Sequence, residues 1–468
     1  MGRRKKPRLV KDVTFTGFAD KGKSVGRDEE GRVIFVEEVV PGDVADVLVL
    51  RKRKGTFQGV AQEIHTYSPD RVEPVCEHFG VCGGCKWQHL SYEAQLRHKQ
   101  TVVEDAMRRI GKIDTSCLED IVGGASTTYY RNKLEFAFSN RRWLTKEELN
   151  SDISNQADVL GFHRAGAFDK VVDIGHCWLQ GEPSNEIRNR IREMAHERGD
   201  TFYDLKANVG FLRHLLIRVT QIGEVLVIVS FGENNPDKIK SFLAEVLAEF
   251  PQITTLSYCI NTKLNDYIFD LDMIVYHGKG YIEEQLGHVR FKIGPKSFFQ
   301  TNTQQAKVLY DTVLEFADFK GTENVYDLYT GIGSIALYVA QQCRQVVGIE
   351  EIEAAIGDAD DNAKLNSIDN AIFYAGDVKD ILTTEFANKH GKPDLLITDP
   401  PRAGMHPKVV EMLKQLAAPR MIYVSCNPAT QARDLQLLDS LYAVKKIRPV
   451  DMFPHTHHIE SVALLELK

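Results

Sequence analysis

From residue 291 onward the chain alternates strand-like and helix-like segments, with strands closing at Tyr329, Glu350, Ala375, Thr398 and Ser425. An open, largely parallel sheet covered by helices satisfies that alternation. Two later strands, Ala443–Pro449 and Ser461–Leu467, are joined by a stretch too short for a crossover helix, so an antiparallel pair is expected at the sheet edge. Ligands of such sheets bind beyond the carboxyl ends of the strands. Residues just past each strand are therefore where chemistry is sought.

Four segments occupy such places: Asp327-Leu-Tyr-Thr-Gly-Ile-Gly-Ser334, Asp399-Pro-Pro-Arg402, Ser425-Cys-Asn-Pro428 and Phe453-Pro-His-Thr-His-His-Ile-Glu460. In the first, Gly331 and Gly333 permit a sharp turn and close approach of backbone to a ligand. Glu350, ending the next strand, can accept hydrogen bonds from ribose hydroxyls. Glycine spacing and acid together fit either a nicotinamide dinucleotide or S-adenosylmethionine, and a purely structural turn would use the same glycines.

The other segments tip the choice towards S-adenosylmethionine. C5 of uracil is a poor nucleophile until a thiolate adds to C6 and makes the ring an enolate. A base must afterwards remove the C5 proton so that the thiol can leave. Cys426, following the strand Met421–Val424, fits the nucleophile; the alternative is a buried structural cysteine, against which the Asn427-Pro428 turn argues. Glu460 fits the base, although a carboxylate opening a final strand could equally lie at the surface. Asp399-Pro-Pro-Arg402 is similar to the (D/N)PP(Y/F) signature of amino-group methyltransferases. Its fourth residue is not aromatic, which argues against adenine or cytosine amino methylation. His455, His457 and His458 lack the neighbouring ligands a metal would need and are expected to orient loops or meet phosphate.

At 468 residues, two to three domains are expected. A hydrophobic content of 43% with 26% charged residues suits a soluble globular protein. No apolar run reaches membrane-span length, and the basic start has no apolar segment behind it, so a cytoplasmic protein is expected. The net charge of −7 argues against whole-chain attraction to nucleic acid, but basic residues gather at Arg3–Arg8 and Arg51–Lys54. Short strands punctuated by glycines from about 9 to 67 suggest a small barrel of the oligonucleotide-binding kind. Residues 89–112 read as a helix with Leu96, Val103, Ala106 and Ile110 on one face. The region 120–290 reads as β-rich with helical inserts.

Of eight cysteines, Cys117, Cys259 and Cys343 sit singly and are expected to be passive. Cys76-x5-Cys82-x2-Cys85 places three thiols on a tight loop, and Cys177 could be a fourth. Four thiolates can hold zinc or an iron–sulfur cluster. The spacing differs from the C-x3-C-x2-C of radical S-adenosylmethionine enzymes.

Taken together, these motifs resemble those of the RNA (uracil-5-)-methyltransferases, over essentially the whole chain. Ser425–Pro428 with Thr430 and Arg433-Asp434 looks like the nucleophile signature, and Phe453–Glu460 like the base signature. The resemblance implies Cys426 as nucleophile, Glu460 as base, and S-adenosylmethionine contacts from Gln300, Tyr329, Gly331, Gly333, Glu350 and Asp399, with Asp377 on the adenine side. Ser334 departs from the Asn of some members. Phe299 becomes a candidate to stack on the flipped base. The resemblance further implies a [4Fe–4S] cluster on Cys76, Cys82, Cys85 and Cys177. The N-terminal barrel looks like a TRAM domain, with Arg51 and Lys54 as phosphate contacts; Arg131 and Lys133 are candidate phosphate contacts too, or else exposed charges on a strand.

The expected organisation is thus multidomain. It comprises an OB-like TRAM barrel (1–68), a central β-rich α+β domain with the cluster (69–290, its helix at about 91–115 packing on the catalytic domain), and a Rossmann-like catalytic domain (291–468). The expected substrate is 23S rRNA, because tRNA members often lack barrel and cluster. A tRNA T-loop uridine is the alternative, and neither DNA nor a membrane is an expected partner. A non-catalytic RNA-binding protein would have no need of Cys426 and Glu460. A nicotinamide oxidoreductase would leave Asp399–Arg402 and Cys426–Pro428 unexplained. A monomer is expected, since one chain carries every catalytic part.

Overall fold

The computed structural model describes residues 8–53, 55–145, 148–164 and 166–468. The chain divides into two compact units, one running to Val102 and including Phe453–His458, the other formed by Val103–Met452 and Ile459–Lys468.

In the first unit, strands β1 (Arg8–Phe18), β2 (Ser24–Arg27), β3 (Val33–Val36), β4 (Val44–Arg53) and β5 (Thr56–Thr66) close into a barrel of order β1-β2-β3-β5-β4. Alternation sends Val13, Phe15, Ile34, Val36, Ala45 and Val47 inward. Closure leaves no room at Gly59, where a Cβ would lie 2.8 Å from the Leu48 carbonyl oxygen. Buried Asp43 ties the barrel to the segment after β5: its carboxylate accepts from the amides of Val40 and Ser68 and from the Arg71 guanidinium. The sequence predicts the barrel but not β2, which is only four residues long.

Helix α1 (Tyr92–Ala106) begins in this unit and ends in the second. Its Gln95 and Lys99 are buried because they satisfy carbonyls: Gln95 those of Trp87 and Leu90, Lys99 that of Phe453. Val103, Ala106 and the following Met107 belong to the second unit and sit in its core with Ala432 and Leu435.

The second unit opens with a sheet of β6 (Lys133–Ser139), β7 (Val159–His163), β8 (Val171–Asp173), β9 (Leu212–Val219), β10 (Val225–Phe231), β11 (Thr255–Ile260) and β12 (Ile274–Gly278). Their order is β12-β11-β10-β9-β6-β7-β8, accompanied by helices α2 (Ser184–Glu197) and α3 (Pro236–Glu249). A hairpin, β13 (Ile282–Leu286) and β14 (Val289–Ile293), leads to α4 (Thr303–Ala317).

The remaining elements are β15 (Asn324–Leu328), α5 (Ser334–Ala340), β16 (Gln345–Glu350), α6 (Glu353–Leu365), β17 (Ala371–Ala375), α7 (Val378–Ile381), α8 (Thr384–His390), β18 (Leu395–Thr398), α9 (Pro407–Leu416), β19 (Arg420–Ser425), α10 (Pro428–Leu438), β20 (Tyr442–Val450) and β21 (Glu460–Leu467). Their sheet order is β17-β16-β15-β18-β19-β21-β20, parallel except for β21, which runs antiparallel to β19 and β20. The order reverses between β15 and β18, and that switch point opens a crevice at the carboxyl edge. Among the described residues no helix is long and apolar enough to cross a membrane.

Candidate active site

The loop after β15 is built for close approach. Tyr329, Gly331 and Gly333 all have positive φ, at 65°, 57° and 77°. A Cβ on Gly333 would press on Phe373 and Ala359 at 3.1 and 3.2 Å, whereas one on Gly331 would meet nothing within 4 Å. The open side of Gly331 is thus available to a ligand. Glu350 stands at the end of β16, half-exposed, and accepts from the amides of Gly331 (3.1 Å) and Ile352 (3.0 Å). Beneath the loop, buried Asp327 accepts from the Thr330 hydroxyl and the Ala336 amide, and burial lifts its pKa to about 7. Asp377 caps α7 by accepting from the Lys379 amide, and also pairs with the Lys379 ammonium.

The final strand brings two predicted groups together. β19 and β21 pair Ser425 with Ser461 as the end of their ladder, so Cys426 follows the last paired residue of one strand and Glu460 precedes that of the other. Burial pushes the Cys426 thiol up to about 11, reinforced by the negative fields of Glu460 and Asp399 and opposed by Arg402. Glu460, 6% exposed, is raised well above the ordinary carboxylate range by burial and by Asp399, again opposed by Arg402. Burial and Asp327 raise Asp399 to about 7. One thiol, two carboxyls and one guanidinium therefore share an electrostatic neighbourhood. In the sequence Arg402 stands out only as a non-aromatic residue, with no role attached to it.

Helix α10 explains the residues that follow the thiol. Asn427 Nδ2 and the Thr430 hydroxyl donate to the Arg402 carbonyl at 3.0 and 3.3 Å, and Arg433 donates to that of Ala403 at 3.0 Å. Asp434, fully buried, accepts from the Met405 amide and the Tyr423 hydroxyl, both at 2.8 Å. Gly404 is required here: its φ is 78°, and a Cβ would lie 2.5 Å from Arg433 and 2.6 Å from Asp434. The helix holds the Asp399–Met405 loop beside its own N-terminal thiol.

The segment before α4 adds a third wall. Buried Asn132 donates through Nδ2 to the Gln300 carbonyl and the Thr303 hydroxyl, both at 2.9 Å, while its amide donates to the Thr301 carbonyl at 2.7 Å. Gln300 itself is half-buried. Phe299, the expected stacking residue, is 3% exposed and packs on Phe291, whereas its neighbour Phe298 is 73% exposed. Alternation along an extended segment turns one ring in and the other out. Sequence reasoning singles out neither Phe298 nor Asn132; only the adjacency of two aromatics hints at the first.

The remaining predicted residues lie elsewhere. Half-buried Arg131 lies over the Tyr130 ring, and Lys133 pairs with Glu135 at 2.8 Å. Arg51 is exposed on β4, and Lys54 lies outside the described residues. Cys76, Cys82 and Cys85 share the irregular stretch between the barrel and α1, all half-buried, and the Gly84 amide donates to Cys82 Sγ at 3.4 Å. Cys177 belongs to the second unit. Burial raises its thiol, opposed by the amides of Leu179 and Gln180 and by Arg188 and Arg131.

A glycine loop at the switch point of this sheet, with an acid closing the next strand, defines the protein class as an α/β protein with a nucleotide-cofactor site. The profile of the family described as tRNA (Uracil-5-)-methyltransferase matches residues 272–468, and that of the TRAM domain matches residues 4–61. A protein of Bacteroides thetaiotaomicron called an uncharacterized RNA methyltransferase is 52% identical over 455 residues, covering 96% of this chain and all of that one. Another of the same description, from Porphyromonas gingivalis, is 50% identical over 461 residues, covering 97% and 99%. The crystal structure of Pyrococcus abyssi tRNA (uracil-54, C5)-methyltransferase in complex with S-adenosyl-L-homocysteine superposes with a TM-score of 0.75 at 30% identity, covering 97% and 99%. The chain belongs to the S-adenosylmethionine-dependent RNA (uracil-5-)-methyltransferases.

Proposed function

We propose that this enzyme methylates a uridine of 23S rRNA at C5, with Cys426 as nucleophile and Glu460 as base. The observation that supports the mechanism is the mutual electrostatic influence of the Cys426 thiol, the Glu460 and Asp399 carboxyls and Arg402. Cys426 Sγ adds to C6 and C5 gains carbanion character. S-adenosylmethionine supplies the methyl group. Glu460 then takes the C5 proton and the Sγ–C6 bond breaks. A carboxyl raised by burial is a stronger base for that step. Arg402 steadies the thiolate against the two acids.

Gly331, Gly333, Tyr329, Glu350, Asp377, Asp399 and Gln300 hold the methyl donor. The space at Gly331 and the position of Glu350 at the switch point support this. The target base leaves its stack to reach the thiol. The stacking role that the sequence assigns to Phe299 suits the exposed ring of Phe298. Arg51, Lys54, Arg131 and Lys133 contact phosphates, and the TRAM barrel adds RNA-binding surface.

Cys76, Cys82, Cys85 and Cys177 hold a [4Fe–4S] cluster. Amide donation to Cys82, and to Cys177 from Leu179 and Gln180, is the environment that thiolate ligands require. The cluster organises the protein and takes no part in methyl transfer. The working form is a cytoplasmic monomer.

A second reading, a tRNA uridine, is favoured by the likeness to the Pyrococcus abyssi tRNA enzyme over 97% of the chain. Incubation with S-adenosylmethionine and 5-fluorouridine-substituted RNA separates the two. Fluorine at C5 cannot leave as a proton, so the adduct stalls. A denaturation-resistant band with 23S fragments, absent in Cys426→Ala, is the expected result. A band with tRNA alone moves the target to tRNA. No band with either, from protein that binds S-adenosylmethionine, overturns the mechanism.

A further inference from the structure

We propose that His163, His214 and Asp266 form a binding site for a divalent transition metal of the zinc class, in the β6–β12 sheet and apart from the methyl-transfer site. One ligand atom from each lies within 4.8 Å of the others. The register explains the convergence. Ala137 of β6 pairs with His214 of β9 on one side and Gly161 of β7 on the other, and His163 lies two residues along β7 from Gly161, on the same face. Glu135 and Ala137 share a face, and both histidines share it with them. Ala137 between them is small enough to let the two imidazoles lean together.

The third ligand is held in place by the protein. Arg213 donates to the carbonyls of Asn261, Lys263 and Asn265 at 2.7, 2.7 and 2.8 Å and to Asp266 Oδ1 at 2.9 Å. His214 Nε2 also approaches Oδ1, at 3.6 Å. Oδ2 remains for a cation. Nδ1 of His214 is buried without a hydrogen-bond partner, and His163 has at most a loose bond to the Phe168 backbone, which leaves at least one of its two buried ring nitrogens unpaired. Buried imidazole nitrogens left unpaired are costly, and a metal would satisfy them. Two imidazoles and a carboxylate suit zinc, with water as a fourth ligand. Asp266 and Glu135 supply negative charge against the adjacent Arg213. The metal would pin the 261–270 segment to the sheet.

The test uses untagged full-length protein with its cysteine sites loaded with iron and sulfide, titrated with Zn2+ against a chromophoric competitor and separately with Co2+. We expect one equivalent of Co2+ with a nitrogen and oxygen ligand field and no sulfur-to-cobalt charge transfer. Because outer-shell partners alone shift metal affinity by 10- to 100-fold, loss of a ligand in His163→Gln or Asp266→Asn is expected to weaken Zn2+ binding by at least ~10-fold. Asp266 is 46% exposed, so its variant keeps the core intact and decides the matter if His163→Gln does not fold. Unchanged Zn2+ binding in the folded variants, or Co2+ bound only through sulfur, overturns the proposal.

Discussion

Cys426 lies within the electrostatic reach of Glu460, just past the Ser425–Ser461 pair that ends the β19–β21 ladder. The pairing of β19 and β21 thus brings the proposed nucleophile and base near one another, although α10 and β20 lie between them along the chain. If Glu460 removes the C5 proton, Glu460→Gln should complete thiol addition and methyl transfer yet fail to release the product. The expected outcome is a denaturation-resistant adduct with ordinary RNA and a turnover lowered by about 10²- to 10⁴-fold. Labelled methyl in that adduct checks it; normal turnover would assign the base elsewhere.

The thiol's surroundings set a pH dependence. With Cys426 as the proposed nucleophile the reaction needs its thiolate, and its pKa is raised to about 11 by burial, Glu460 and Asp399. Below that value the thiolate fraction grows tenfold per pH unit. When adduct formation limits, log kcat/KM should rise with a slope near one between about pH 7 and 9. Arg402 opposes the upward shift, so Arg402→Met should lower kcat/KM throughout that window without changing the slope. A flat profile in the parent enzyme would remove Cys426 from the limiting step.

Phe298 and Phe299 should separate cleanly. Phe299 is buried against Phe291, and Phe299→Ala is expected to cost about 3–5 kcal/mol of stability. Phe298 is exposed, and Phe298→Ala should leave stability within about 0.5 kcal/mol. Stacking of ~1–3 kcal/mol per base would then appear as a loss of about 5- to 150-fold in kcat/KM for RNA. Equal RNA kinetics in Phe298→Ala and the parent would end the stacking role.

Range along the chain decides which features are legible in the sequence. The strand–helix alternation, glycine loop and thiol turn are local patterns, and each lies where those patterns point. The edge pairing of β20 and β21 is readable from the short connection, but its register is not, because ladder pairing depends on partners far along the chain. Helix α1 shows how local periodicity misleads. Its spacing predicts Leu96 and Ile110 on the buried face, yet Ile110 is 40% exposed and Leu96 half-buried. Gln95 and Lys99 are buried instead, since carbonyls of Trp87, Leu90 and Phe453 receive their protons. Tertiary partners of this kind leave no periodic trace.

Asn132 offers the same lesson in testable form. Its side-chain amide donates twice, to the Gln300 carbonyl and the Thr303 hydroxyl, and Thr303 in turn donates to buried Glu284 at 2.8 Å. Asn132→Ala leaves a buried carbonyl short of a donor, expected to cost about 1–3 kcal/mol. Because Gln300 is assigned to the methyl donor, KM for S-adenosylmethionine should rise while the alkaline limb set by Cys426 stays in place. Asn132→Asp should be worse than Ala, since it turns an acceptor towards the Gln300 carbonyl and adds charge near Glu284. Thermal melts and S-adenosylmethionine titrations of the two variants check this; an Asp variant as stable as the parent would show that the donors of Asn132 do not hold the segment.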